Sequence, residues 1–214
     1  MKENNNLTID ERDRILKTAR IKNRNSKNTL YVHDIENSIG YLNQKYRTED
    51  HIFKKQLSNL DQALDVSNSD LAIISGNMNL INRTNRIYYQ KTPCQEIMIP
   101  ASGKNGADLK LIQTIEILNE ENLLDNFSNI VLISGDKIFY EHAKSLKNKG
   151  YAVETYSRSE STAKEFINLK GHKYINHCFK TGINKKNKSK KYKKLSSDAA
   201  FQKLIDKIVL QTGI

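Results

Sequence analysis

The chain has 214 residues, 37% of them apolar and only two of them proline, which suits one globular domain around a single well-formed core. Its 35 Lys and Arg against 24 Asp and Glu leave a formal charge of +11, a balance that favours a polyanionic partner. The two cysteines, Cys94 and Cys178, have no CxxC or Cys/His spacing, which excludes a zinc-ligand pattern and a disulfide framework. The polar opening MKENNNLTIDERDRILK and the lack of any 18-residue apolar run argue against a signal peptide or membrane span, so a cytoplasmic protein is expected.

Residues 12 to 28 carry seven basic groups and one acidic, and residues 1–28 read as a basic N-terminal arm or short helix, from Asp10 to about Ile21, with Asp10 as candidate cap. TLYVHDI (29–35) is a short run of β-formers and predicts a strand. Phe53, Leu57, Leu60 and Leu64 then recur at helical spacing in FKKQLSNLDQALDV (53–66). DLAIISG (70–76) predicts a second strand, MNLINRTNRIYYQ (78–90) a helix, and QEIMIPA (95–101) a third strand. In ADLKLIQTIEILNEENLL (107–124), Leu111, Ile112, Ile115 and Leu118 share one helical face. NIVLISG (129–135) is a fourth strand, and KIFYEHAKSLKNKG (137–150) a helix closed by glycine. YAVETYS (151–157), STAKEFINL (161–169) and KYINHCF (173–179) predict strand, short helix and strand.

Continuous apolar strands alternating with helices predict an α/β fold: a doubly wound, mostly parallel sheet with helices on both faces, spanning residues 29–179. Residues 180–194 hold eight lysines and no acid, a Lys-rich linker or basic arm. Residues 195–214 predict an amphipathic helix with Phe201, Leu204, Ile205 and Ile208 on one face, docking on the domain or on a partner. Outside the two basic stretches the chain is slightly acidic. Lysines gripping phosphates, including Lys185, Lys186, Lys190 and Lys191, would suit core carboxylates that hold a metal. Solvated surface is the plainer account of such charge runs.

In open parallel sheets ligands sit beyond the carboxyl ends of the strands, where strand order reverses. The first predicted strand ends at Asp34 and the fourth leads to Asp136, while the third leads through PASGKNGAD to Asp108. Three carboxylates at equivalent strand ends are hard oxygen donors of the kind Mg²⁺ or Mn²⁺ takes. Taken singly, Asp108 and Asp136 also read as helix caps. Asp34 ends an apolar strand, where a buried carboxylate is costly unless paired or metal-bound. ISGN (74–77) echoes ISGD (133–136), as an old duplication or a second polar contact at the cleft, or more simply as recurrent βα-turn chemistry. The five histidines show no metal or triad spacing, and SGKNG lacks the Walker pattern.

Across about residues 29–178 the chain resembles the NYN domain family of the PIN-like superfamily. DIEN (34–37) is similar to that family's D-x-x-N or D-x-E-N strand end, and GKNGADLKLI (103–112) resembles its middle helix start through Lys104, Gly106 and Asp108. LISGDKIFYEHAKSLKNKGYAVETYS resembles its SGDxDF strand end, helix and following strand, including Phe139 and Gly150. The resemblance implies a PIN-like fold and Mg²⁺- or Mn²⁺-dependent hydrolysis of RNA, with Asp34, Asp108 and Asp136 as catalytic metal ligands. It also implies Asn37 orienting substrate or a water of the metal; beside it, Ser134 would fix the turn or touch a phosphate, and Lys104 would meet the scissile phosphate or be simply solvated. The second Asp of SGDxDF falls on Ile138, with Glu36 or Glu141 as candidate substitutes. A catalytically weakened RNA-binding module is therefore the alternative, and a nucleotide-binding α/β protein using the SGKNG turn a third. Self-association is left open.

Overall fold

A computed structural model describes residues 6–22, 27–40, 49–88 and 94–179. The Lys-rich stretch 180–194 with Lys185, Lys186, Lys190 and Lys191, and the helix expected over 195–214, lie outside the described residues.

Six strands form one sheet: β1 (Thr29–Asp34), β2 (Leu71–Asn77), β3 (Gln95–Ala101), β4 (Asn129–Ile133), β5 (Val153–Ser157) and β6 (His172–Tyr174). Their order is β3-β2-β1-β4-β5-β6, and every neighbouring pair is parallel. The central strands β1, β2 and β4 are buried at nearly every position, as their unbroken apolar runs require of a sheet covered on both faces. The flanking strands β3 and β5 alternate instead. The fold is α/β and doubly wound.

The helices are α1 (Ile9–Arg20), α2 (Asp50–Leu64), α3 (Met78–Tyr88), α4 (Gly106–Glu120) and α5 (Lys137–Asn148). Two apolar clusters fill the two faces of the sheet. One joins α1, α4 and α5 to Leu30, Val32, Ile73 and Leu132, and the other joins α2 and α3 to Tyr31, Ala72, Ile74 and Ile133. Among the described residues no helix is long and apolar enough to cross a membrane.

Three segments differ from the sequence expectation. Helix α1 is capped by Thr8 rather than Asp10, through a capping box in which Glu11 N–H donates to Thr8 Oγ1 (3.2 Å) and Thr8 N–H to Glu11 Oε2 (2.8 Å). This helix packs into the core rather than standing off as an arm. Ile15 and Ala19 are fully buried, and the Glu11 carboxylate pairs with the buried Lys110 ammonium of α4 at 2.8 Å. Residues 159–169 form two 3₁₀ turns, Ser159–Ser161 and Lys164–Asn168, in place of a helix. There the Ser161 and Thr162 hydroxyls hydrogen-bond the backbone carbonyl of Arg158, a local alternative to helical pairing. β6 stops at Tyr174 and gives way to a 3₁₀ turn, Asn176–Phe179, whose Cys178 is buried with Ile175 against the α2 face.

Candidate metal centre

From β1 the chain steps one way, to β2 and β3, and from β4 the other way, so the strand order reverses between β1 and β4. Loops that diverge at such a point leave a crevice at the carboxyl ends of the strands. Asp34 is the last residue of β1, Ser134–Asp136 link β4 to α5, and Asp108 lies in the first turn of α4, which follows β3. Their carboxylates converge: each offers an oxygen, and these oxygens all lie within 4.8 Å of one another.

Asp34 is 2% exposed. Its Oδ1 accepts the backbone N–H groups of Glu36 (3.0 Å) and Asn37 (3.1 Å), which turns the chain out of the strand into a π-helical segment, Glu36–Gly40. Its Oδ2 accepts the Ser134 hydroxyl at 3.1 Å. The same hydroxyl oxygen accepts the Asp136 N–H at 3.2 Å. Asp136 occupies the cap position of α5 with extended backbone, yet its carboxylate makes no capping hydrogen bond and is left to the crevice. Asp108 does not cap α4 either; Asn105, in the left-handed region (φ 61°), holds that position.

Burial pushes the Asp34 carboxyl up to about 8, and repulsion from Asp108 and Asp136 adds to it against the hydrogen bonds from Asn37 N–H and Ser134. Burial likewise raises Asp108 to about 6, with Asp136 and then Glu36 repelling it. Three carboxylates crowded this closely carry a charge that a divalent cation would neutralise. An all-oxygen donor set of this kind fits a hard cation that keeps some of its waters.

The strand ends are locked together by Asn37. Its Oδ1 accepts both the Gly135 N–H (2.9 Å) and the Ser161 hydroxyl (2.9 Å), and the Ala163 N–H donates to the Gly135 carbonyl (2.8 Å). The 158–163 turn lies so close that a Cβ at residue 135 would sit 2.2 Å from the Ser161 carbonyl oxygen, which is why glycine stands there.

Of the residues singled out in sequence, Asp34, Asp108, Asp136 and Ser134 come together. The Asn37 carbonyl oxygen faces the protein's own loops. Lys104 is exposed in the turn before α4, and Ile138 is 37% exposed in the first turn of α5. Glu141 is exposed further along the same helix. Tyr31 is buried and bonded to the Leu64 carbonyl, and Tyr140 and Tyr151 pack against the core, so none of these three rings is free to stack on a base. Sequence reasoning passed over Ser161, and reached Asn77 only as the end of ISGN, a candidate polar contact at the cleft. Asn77 Oδ1 accepts the Leu80 N–H (3.0 Å) and its Nδ2 donates to Glu36 Oε1 (2.6 Å). The ISGN echo of ISGD was the available signal for Asn77; for Ser161 there was none.

An all-parallel, doubly wound sheet with an acidic crevice at its order reversal defines an α/β protein with a candidate metal centre at its strand ends. Residues 35–178 match the family model of the NYN domain, and the chain belongs to that family. No curated protein matches it. Among solved structures, a protein of unknown function from Vibrio parahaemolyticus is similar, at 14% identity and a TM-score of 0.48, over 72% of this chain and 95% of that one.

Proposed function

We propose that this protein is a divalent-metal-dependent ribonuclease of the cytoplasm, hydrolysing RNA phosphodiester bonds with Mg²⁺ or Mn²⁺ held by Asp34, Asp108 and Asp136. The observation that carries the reading is the convergence of those three carboxylates within 4.8 Å from three separate elements. Membership of the NYN family supports nuclease chemistry, and the +11 charge supports a polyanionic substrate.

When bound, the cation would supply charge neutralisation at the phosphate and a lowered pKa for the attacking water. The protein's own groups prepare for it. Ser134 and the turn amides of Glu36 and Asn37 donate to Asp34 and so favour its ionised, ligating form. Asn37 fixes the spacing between the β1 and β4 ends. Lys104, exposed in the turn before α4, and Lys185, Lys186, Lys190 and Lys191 in the Lys-rich stretch, would meet RNA phosphates.

The test is cleavage of mixed single-stranded RNAs with Mg²⁺ or Mn²⁺, alongside RNA binding by fluorescence anisotropy. Wild type should cut, and Asp136→Asn should bind RNA equally well and not cut. A second reading, an RNA-binding module with little turnover, is favoured by the apolar, partly exposed Ile138 two residues beyond Asp136. Equal binding with no cleavage by either protein would select it.

A further inference from the structure

Among the described side chains Tyr174 is the one exposed phenylalanine or tyrosine ring, 47% open to solvent. It ends β6, paired in register with Ser157, the last residue of β5. That is the carboxyl end of the sheet, where the crevice also lies, and β6 stands two strand spacings from β4, roughly 10 Å.

The ring is held in place from the core outward. It stands edge-on to His172 at 5.1 Å, and His172 lies against the fully buried Phe166 at 5.0 Å. His172 is fixed in turn at both ring nitrogens, Nδ1 to the Thr155 hydroxyl (2.9 Å) and Nε2 to the Ser157 hydroxyl (3.1 Å). A file of rings, Phe166, His172 and Tyr174, thus runs from the core to the surface, so a flat partner meeting Tyr174 orders little that is not already ordered.

The surroundings are cationic. Across residues 164–174, Lys164, Lys170 and Lys173 are exposed against one acid, Glu165, which pairs with Lys137 at 3.0 Å. Lys173 is tied to Glu154 at 2.7 Å, and the Lys147 ammonium of α5 donates to the Lys170 carbonyl. Six residues beyond Tyr174 the sequence enters the Lys-rich stretch 180–194. A fixed, exposed ring among ammonium groups suits an unpaired base, whose π-face lies on the ring while its phosphates meet the lysines. Duplex RNA presents no open base face to such a ring.

We propose that Tyr174 is a base-stacking site for single-stranded RNA, with Lys164 and Lys170 meeting the adjoining phosphates. The inference rests on the RNA reading above and concerns a contact outside the metal centre.

Fluorescence anisotropy on the full chain tests it, with a labelled single-stranded RNA and the same RNA as a duplex, both in chelator so that cleavage does not intervene. Tyr174→Ala should bind the single strand about ten-fold more weakly and the duplex as wild type does. Tyr174→Trp keeps a stacking face and should bind the single strand at least as tightly as wild type, and all three proteins should melt at similar temperatures. Single-strand affinity unchanged in Tyr174→Ala would overturn the proposal and leave the RNA reading standing. An equal loss on the duplex, or a Tyr174→Trp as weak as Tyr174→Ala, would also overturn it, because stacking predicts neither. If wild type binds no single-stranded RNA, the RNA reading fails and this site fails with it.

Discussion

The Ser134 hydroxyl donates to Asp34 Oδ2 across 3.1 Å, joining the ends of two strands that are a hundred residues apart in the chain. Because its oxygen also accepts the Asp136 N–H, one buried side chain spans both carboxylate-bearing loops. The crevice is thereby held in shape by bonds within the protein itself.

Ser134→Ala removes that donor from a buried carboxylate. Stability should fall by about 1–3 kcal/mol in urea denaturation. Mn²⁺ affinity should fall with it, because Asp34 loses a partner that favours its ionised form. A variant as stable as wild type and equally avid for Mn²⁺ would show the hydroxyl to be incidental.

The pH dependence of the metal-free protein has a definite sign. Asp34 is raised from 3.8 to about 8 and Asp108 from 3.8 to about 6, so both hold protons in the fold that the unfolded chain releases. Stability is then fully present below the unfolded value and is lost as pH rises from about 4 to about 8, by an amount on the order of a few kcal/mol. The melting temperature in chelator should therefore be several degrees lower at about pH 8.5 than at about pH 5. Mn²⁺ should stabilise more at the higher pH, and Asp34→Asn should reduce the slope, leaving the part due to Glu96, which burial also raises to about 8. A metal-free protein that grows more stable over this range would refute the crowding of these carboxyls.

Gly135→Ala should displace the 158–163 turn, since the added Cβ meets the Ser161 carbonyl oxygen at 2.2 Å and backbone has to give way. The expected cost is about 1–3 kcal/mol in denaturant unfolding, with a loss of RNA cleavage beyond what the unfolded fraction explains. Undiminished cleavage by the folded Gly135→Ala variant would mean that the turn does not control the crevice.

Glu11→Ala should detach α1. It breaks the capping box and leaves the Lys110 ammonium, whose side chain is 7% exposed, without its carboxylate partner. A destabilisation on the order of 3 kcal/mol is expected by thermal or urea unfolding. A loss below about 0.5 kcal/mol, the range of ordinary surface changes, would argue that α1 contributes little to the fold.

Deleting residues 180–194 removes eight lysines and should weaken RNA binding while flattening its dependence on salt. Anisotropy titrations at several salt concentrations measure the slope. An unchanged slope would take these lysines away from the phosphates.

The element pattern was legible because burial on both faces leaves unbroken apolar runs, as in LYV of β1 and LAII of β2, and amphipathic helices leave a 3.6-residue period between them. The loops were less so. STAKEFINL carries an apolar helical pattern, but the Ser161 and Thr162 hydroxyls take up backbone groups there and break it into 3₁₀ turns. Residues 1–28 read equally as a charged arm or a short helix, and the helix is what forms; its buried Ile15, Leu16 and Ala19 are interleaved with arginines and lysines, which hid how deeply it packs.

For the crevice, the residues themselves placed Asp34, Asp108 and Asp136 at strand ends and helix starts, with ISGD and DIEN as markers. Local pattern has a reach of a few residues, so it specified the α/β class and the kind of side chain offered. Which strands pair is decided by packing of helices against the whole sheet. That pairing alone made β1 and β4 neighbours, brought Ser134 onto Asp34, turned Asn37 inward to hold Gly135 and Ser161, and set Asn77 against Glu36.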